Sequence, residues 1–133
     1  MFRIGIIGAG WIAEKMCDAI APFTYIEIYA IASRTTEKAE AFAAEHNIGK
    51  AYGSYEEMVC DPDIDLVYIA TPHSHHYDHA MLALEHGKPV LVEKAFTANA
   101  RQAKELIETA RSKGLFITEA IWTRYMPLCH KIR

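Results

Sequence analysis

The chain begins, after its first methionine, Phe2-Arg3-Ile4-Gly5-Ile6-Ile7-Gly8-Ala9-Gly10-Trp11-Ile12-Ala13. A largely aliphatic run suited to a strand passes straight into Gly-x-Gly-x-x-Ala, and a helical pattern follows. Those letters alone are weak evidence; the strand before and the helix after give them weight. In that setting Gly8 permits the tight turn out of the strand. Gly10 has no side chain to hold a pyrophosphate off the backbone, and Ala13 is small enough for the helix to lie close to the sheet. The first helical turn, with Trp11 and Ile12, would point unpaired N–H groups and the positive end of the helix dipole at the phosphates. These four positions, Gly8, Gly10, Trp11 and Ile12, are candidate cofactor-binding residues. The plainer alternative is a glycine turn in an ordinary α/β protein.

From there the pattern alternates to the end of the chain. Strands are expected at residues 3–7, 26–32, 66–70, 90–93 and 115–119, with a very short one at Ala51 and Tyr52. Helices are expected at about residues 11–21, 36–45, 75–85 and 100–113. In the second helix Ala39, Phe42 and Ala43 form the apolar stripe, and in the last Ala103, Leu106, Ile107 and Ala110 recur at helical spacing. Ser54-Tyr55-Glu56-Glu57 resembles a capping box, and Gly87 and Gly114 are expected helix stops. Strands joined by helices predict an α/β fold, a three-layer doubly wound parallel sheet with ligands at the carboxyl ends of its strands.

The chain has 133 residues, 51% of them hydrophobic, enough for one domain with a true core. A net charge of −3 gives no reason to expect nucleic acid or a membrane surface as partner, and no apolar run is long enough to span a bilayer. Cys17, Cys60 and Cys129 lack metal or redox spacing and read as reduced thiols of a cytoplasmic protein. Residues 126–133 look like the first turns of a helix with Pro127 near its start. They carry no stop signal, which suggests a fragment of a longer protein.

The tip of the second strand bears on the choice of nucleotide. An acidic residue there holds the ribose hydroxyls of NAD in many sheets of this kind. Here the strand runs out as Ala32-Ser33-Arg34-Thr35. Ser33 can hydrogen-bond a phosphate, Arg34 can grip one with a planar charged fork, and Lys38 is close by in sequence. This favours NADP over NAD. Alternatively, Arg34 is a solvated loop residue beside a helix that Thr35 or Thr36 caps.

Three later segments complete a recognisable pattern: Thr71-Pro72-His73-Ser74-His75-His76, Glu93-Lys94-Ala95 and Trp122-Thr123-Arg124. With the glycine turn, they make the chain resemble the N-terminal nucleotide-binding Rossmann domain of the glucose–fructose oxidoreductase / inositol dehydrogenase family, written Gfo/Idh/MocA. The likeness is greatest to the branch containing dihydrodiol dehydrogenase. The resemblance implies that Thr71, Pro72 and His76 belong to a loop beside the cofactor, with His73 in place of the usual Asn. It implies that Glu93 contacts the nicotinamide-side ribose, that Lys94 is the catalytic residue beside the nicotinamide, and that Trp122 and Arg124 lie against the cofactor. Ala95 replaces a proline. A non-proline cis bond costs about 3 kcal/mol, so a trans Lys94–Ala95 peptide is expected.

The resemblance further implies that residues 1–120 form the NAD(P)-binding domain and that residues 121–133 begin the connection to a second domain, which holds the rest of the substrate pocket and through which the family forms homo-oligomers. The expected parent is a cytoplasmic NADP-dependent oxidoreductase acting on a secondary alcohol or ketone of a sugar, polyol or cyclic diol. The alternative is a non-catalytic NADP-binding module or a nucleotide-sensing regulator. Other readings stand beside these. Lys94 could be a plain surface lysine, and Trp122 and Tyr125 could pack at a domain interface. His75 and His79, four apart, have the spacing of paired zinc ligands, but no third ligand completes a set, and no metal is expected.

Overall fold

The computed structural model describes residues 1–132. Its strands are β1 (Phe2–Ile7), β2 (Ile26–Ala32), β3 (Lys50–Tyr52), β4 (Leu66–Ile69), β5 (Val90–Val92) and β6 (Ile117–Glu119). Its helices are α1 (Trp11–Ile20), α2 (Thr36–His46), α3 (Tyr55–Val59), α4 (His76–Glu85), α5 (Ala100–Ser112) and α6 (Pro127–Ile132). The six strands lie in the order β3-β2-β1-β4-β5-β6, every pair parallel. The order reverses between β1 and β4. The two connections leaving that point run to opposite sides, and a crevice opens above the strand ends.

Alternation along the strands builds two cores. Ile4, Ile6, Ile31 and Tyr68 face α1 and α2, where Ala13, Phe42 and Ala43 meet them. Ile7, Ala30, Ala32, Val67, Ile69, Val90 and Val92 face the other way, onto Met58, Ala80, Leu84, Leu106 and Ala110 of α3, α4 and α5. Helices on both faces explain why the strands read as almost unbroken aliphatic runs.

The ends of the elements follow local chemistry. Thr35 caps α2, its hydroxyl accepting from the Lys38 amide at 3.3 Å, and Asn99 caps α5, its side-chain oxygen accepting from the Gln102 amide at 3.0 Å. Ser54 caps α3 by accepting from the Glu57 amide at 3.3 Å, and its hydroxyl donates to Glu56. Helix α2 stops at Asn47, whose φ of 55° is left-handed, a stop signal that Asn can supply as well as Gly.

Several boundaries differ from the sequence reading. The expected helix over residues 75–85 opens with a 3₁₀ turn, His73–His75, before α4. Strands β5 and β6 are three residues each, shorter than expected, with Glu93, Leu115 and Phe116 outside the paired ladder. Helix α6 begins at Pro127 as expected, and Arg133 lies outside the described residues. A second 3₁₀ turn, Trp122–Tyr125, follows β6. No described helix is long and apolar enough to cross a membrane.

Candidate functional site

At the carboxyl end of β1 the chain turns through Gly8, whose φ is +106°. A Cβ on Gly8 would stand 2.9 Å from the Ala70 carbonyl and from Thr71 Cγ2, so both backbone conformation and space demand glycine. Gly10 is different. Its φ is −118°, and nothing lies within 4 Å of where its Cβ would be. Glycine there leaves the crevice open instead of relieving a clash. Gly10 is also the N-cap of α1, and no side chain caps that helix. The first-turn N–H groups of Trp11 and Ile12 are thus available to an anion, in contrast to α2, α3 and α5, which are capped by their own side chains.

At the end of β2, Ser33 is buried and donates its amide to the Tyr52 carbonyl at 3.1 Å. Arg34 is exposed and forms no ion pair among the described residues. Lys38 is exposed on the first turn of α2. Thr35 spends its hydroxyl on the cap, so the capping role assigned to it and the freedom of the Arg34 guanidinium exist together.

The loops after β4 and β5 meet over His76. This ring is wholly buried, with Nδ1 2.7 Å from the Ala95 carbonyl oxygen and Nε2 2.8 Å from the Thr71 carbonyl oxygen. Thr71 is held a second time, its hydroxyl 2.9 Å from His79 Nδ1. Burial first, then the neighbouring His75, push the His79 ring below its ordinary titration range. The His75 and His79 rings stack with centroids 5.5 Å apart, and no cluster of three or more metal-ligating side chains occurs among the described residues.

Glu93 follows β5 directly. Its carboxylate accepts from the Tyr68 hydroxyl at 2.6 Å through Oε1 and from the Lys94 amide at 3.1 Å through Oε2. Lys94 is exposed and lines a cleft of about 190 Å³ together with Trp11, Ile12, Thr71, His73 and Glu93. The Lys94–Ala95 peptide is cis, which corrects the expectation of a trans bond. That expectation weighed only the local preference of a non-proline residue. Here the Ala95 carbonyl is engaged by His76, and the Phe96 amide donates to Glu119 at 2.7 Å, so contacts from α4 and β6 act on the segment.

A second hollow of about 340 Å³, mostly apolar, lies on the α1 side of the same rim, between Ile12, Met16, Tyr68, Leu91, Trp122 and Tyr125, with Glu93 on the wall common to both. Trp122 and Arg124 part company. Trp122 borders this hollow, whereas Arg124 lines a different cleft with Ile121, Cys129 and Ile132. A 3₁₀ helix has three residues per turn, so positions two apart diverge around its axis. The structure thus gathers Trp11, Ile12, Thr71, His76, Glu93 and Lys94 in one place, sets Ser33 and Arg34 just past the end of β2 with Lys38 on the first turn of α2, and leaves Arg124 outside both groups. Tyr68 is the group that the sequence reading missed. Its period-two register with Glu93 across β4 and β5 was the available signal.

Comparison with known proteins agrees with this geometry. Residues 2–120 match the family model GFO_IDH_MocA, the oxidoreductase family with an NAD-binding Rossmann fold. A D-xylose 1-dehydrogenase (NADP(+)) of Hypocrea jecorina is 50% identical over 97% of this chain and 36% of its own length. A trans-1,2-dihydrobenzene-1,2-diol dehydrogenase of Xenopus tropicalis is 44% identical over 97% of this chain and 40% of its own. Among solved structures, KijD10, a 3-ketoreductase from Actinomadura kijaniata in complex with TDP-benzene and NADP, superposes with a TM-score of 0.91 at 31% identity, over 98% of this chain and 42% of that one. The chain thus spans well under half the length of these relatives. The fold order, the uncapped helix over Gly10 and the match across residues 2–120 together establish that the chain belongs to the Gfo/Idh/MocA oxidoreductase family and carries its NAD-binding Rossmann fold.

Proposed function

We propose that this chain is the cofactor-binding part of an NADP-dependent oxidoreductase, one that moves a hydride between the nicotinamide and a secondary alcohol or ketone of a sugar, polyol or cyclic diol. The observation that carries the reading is the placement of Glu93 and Lys94 in one cleft with the uncapped first turn of α1. The named activities of the xylose and dihydrodiol dehydrogenases and of the ketoreductase support the substrate class.

The residues present fit a dinucleotide. The open space over Gly10 admits a pyrophosphate to the Trp11 and Ile12 amides. At the tip of β2, Ser33 and Arg34, with Lys38 nearby, offer donors and positive charge where NAD would require a carboxylate, which favours NADP. When bound, the nicotinamide supplies the hydride acceptor or donor. Glu93 keeps a lone pair on each oxygen for ribose hydroxyls beyond those given to Tyr68 and Lys94. Lys94 holds or relays the substrate hydroxyl proton as carbon is oxidised. Thr71 and Pro72 flank the nicotinamide end, and His76 serves it from behind through the carbonyls of Thr71 and Ala95. Trp122 lies beside Glu93 for a contact with the cofactor, and Arg124 is assigned none.

In this reading residues 1–120 are the nucleotide-binding domain, and residues 121–133 begin the connection to a substrate domain through which the full-length protein forms a homo-oligomer. Three cysteines without disulfides suit the cytoplasm. The test is NADPH and NADH titration of the full-length protein, followed by turnover on a panel of aldoses, polyols and cyclic diols. Tight NADPH binding with turnover is the expected result. Binding without turnover on any member of the panel would assign the protein to nucleotide sensing instead.

A further inference from the structure

Glu93 stands at the rim of the sheet, yet its carboxylate is not free to rotate there. Tyr68 lies opposite Leu91 in the β4–β5 ladder, and Glu93 is two residues beyond Leu91. Side chains alternate with a period of two, so Tyr68, Leu91 and Glu93 share the α1-facing side of the sheet. Diagonal neighbours on one face are within reach of a long aromatic side chain. The Tyr68 ring spans that diagonal and is 2% exposed, its hydroxyl 2.6 Å from Glu93 Oε1.

We propose that Tyr68 is a positioning residue for the cofactor site, a buried phenol that donates to Glu93 Oε1 and fixes the carboxylate in the orientation from which it accepts the ribose hydroxyls. The inference rests on the reading of Glu93 as a ribose contact. Burial, with the adjacent Glu93 acting in the same direction, pushes the Tyr68 phenol far above its ordinary range, so it stays a neutral donor at any working pH. The Lys94 amide, 3.1 Å from Oε2, completes a two-point clamp. A carboxylate held at both oxygens pays little to become ordered when a ligand arrives. Glu93 borders both the Lys94 cleft and the apolar hollow beside Trp122.

A double-mutant cycle in the full-length protein tests this, with Tyr68→Phe, Glu93→Gln and the double variant compared by fluorescence titration with NADPH. Tyr68→Phe should raise the NADPH Kd by about 3- to 10-fold, the range of one net hydrogen bond. Glu93→Gln should raise it by about 10-fold or more. The double variant should be no worse than Glu93→Gln, since the phenol acts only through the carboxylate. The melting temperature of Tyr68→Phe should stay within a few degrees of the parent, whereas a purely structural tyrosine would move melting and leave Kd alone. Unchanged affinity in Tyr68→Phe, or additive losses in the cycle, with Glu93→Gln still impaired, overturns the role of Tyr68 alone. Unchanged affinity in Glu93→Gln overturns the ribose contact and this inference with it.

Discussion

His76 Nδ1 lies 2.7 Å from the carbonyl oxygen of Ala95, and through this contact a ring on α4 reaches the loop that carries Lys94. The other ring nitrogen holds the Thr71 carbonyl at 2.8 Å, so one wholly buried side chain ties the ends of β4 and β5 together. Replacing it with Phe, of similar size, removes the ring N–H and with it the polar link between the Thr71 and Ala95 carbonyls. His76→Phe is expected to cost about 1–3 kcal/mol of stability, measured by urea denaturation. A loss under about 0.5 kcal/mol would mean that water takes over the freed carbonyl.

The two glycines of the opening turn should respond differently. Gly8→Ala forces an L-residue to a φ of +106° with a Cβ 2.9 Å from backbone, so it should destabilise the fold by about 2–4 kcal/mol. Gly10→Val meets open space at an ordinary φ, so its melting temperature should be close to that of the parent. Yet its side chain fills the approach to the α1 amides, and calorimetry should find NADPH binding abolished. Retained affinity in a folded Gly10→Val protein would place the nucleotide elsewhere.

Arg34 is exposed at the tip of β2. Arg34→Ala should weaken NADPH by about 1.5–3 kcal/mol, the scale of a charged hydrogen bond, and leave NADH almost unchanged. Isothermal titration with both nucleotides decides it, and equal losses would exclude a contact with the 2′-phosphate.

Lys94 lines the cleft, and its amide donates to Glu93. In the full-length protein Lys94→Ala should therefore lower kcat by on the order of 10²–10⁴, the scale of a lost proton-transfer group. The NADPH Kd should change far less, since the backbone contact survives the substitution. Steady-state kinetics on an accepted alcohol make the measurement, and full activity would end the catalytic assignment.

Asp61 supplies an acid-sensitive element away from the site. It is 6% exposed and accepts from Lys50 Nζ and Tyr52 Oη, each at 2.7 Å, and from the Asp63 amide at 2.9 Å. Burial alone would raise its pKa, but the bonds from Lys50, Tyr52 and Asp63 together with the Lys50 charge outweigh it and hold the carboxyl at about 2. The unfolded value is about 3.9, so the unfolded chain takes up the proton first. The stabilisation, about 2 kcal/mol, is present above pH 4 and lost as pH falls toward 2. Asp61→Asn should be less stable at pH 7 and show a flatter stability profile between pH 4 and 2, read by denaturation at each pH.

Much of this protein is legible in its sequence. The aliphatic runs, the glycine turn, the apolar stripes of α2 and α5 and the caps at Thr35, Ser54 and Asn99 are local signals, set by sterics and hydrogen bonds within a few residues. They determine the order of strands and helices, hence the parallel sheet and the rim at which Gly10, Ser33 and Glu93 must lie. Only tertiary packing decided the rest. Tyr68 reaches Glu93 across 25 positions of sequence, His76 reaches Ala95 across 19, and Lys50 reaches Asp61 across 11. The cis Lys94–Ala95 peptide also lies beyond any local pattern. The reason is physical: a propensity acts on the residue and its neighbours, whereas these contacts exist only once the strands lie side by side and the helices cover them, which places distant side chains a few ångströms apart.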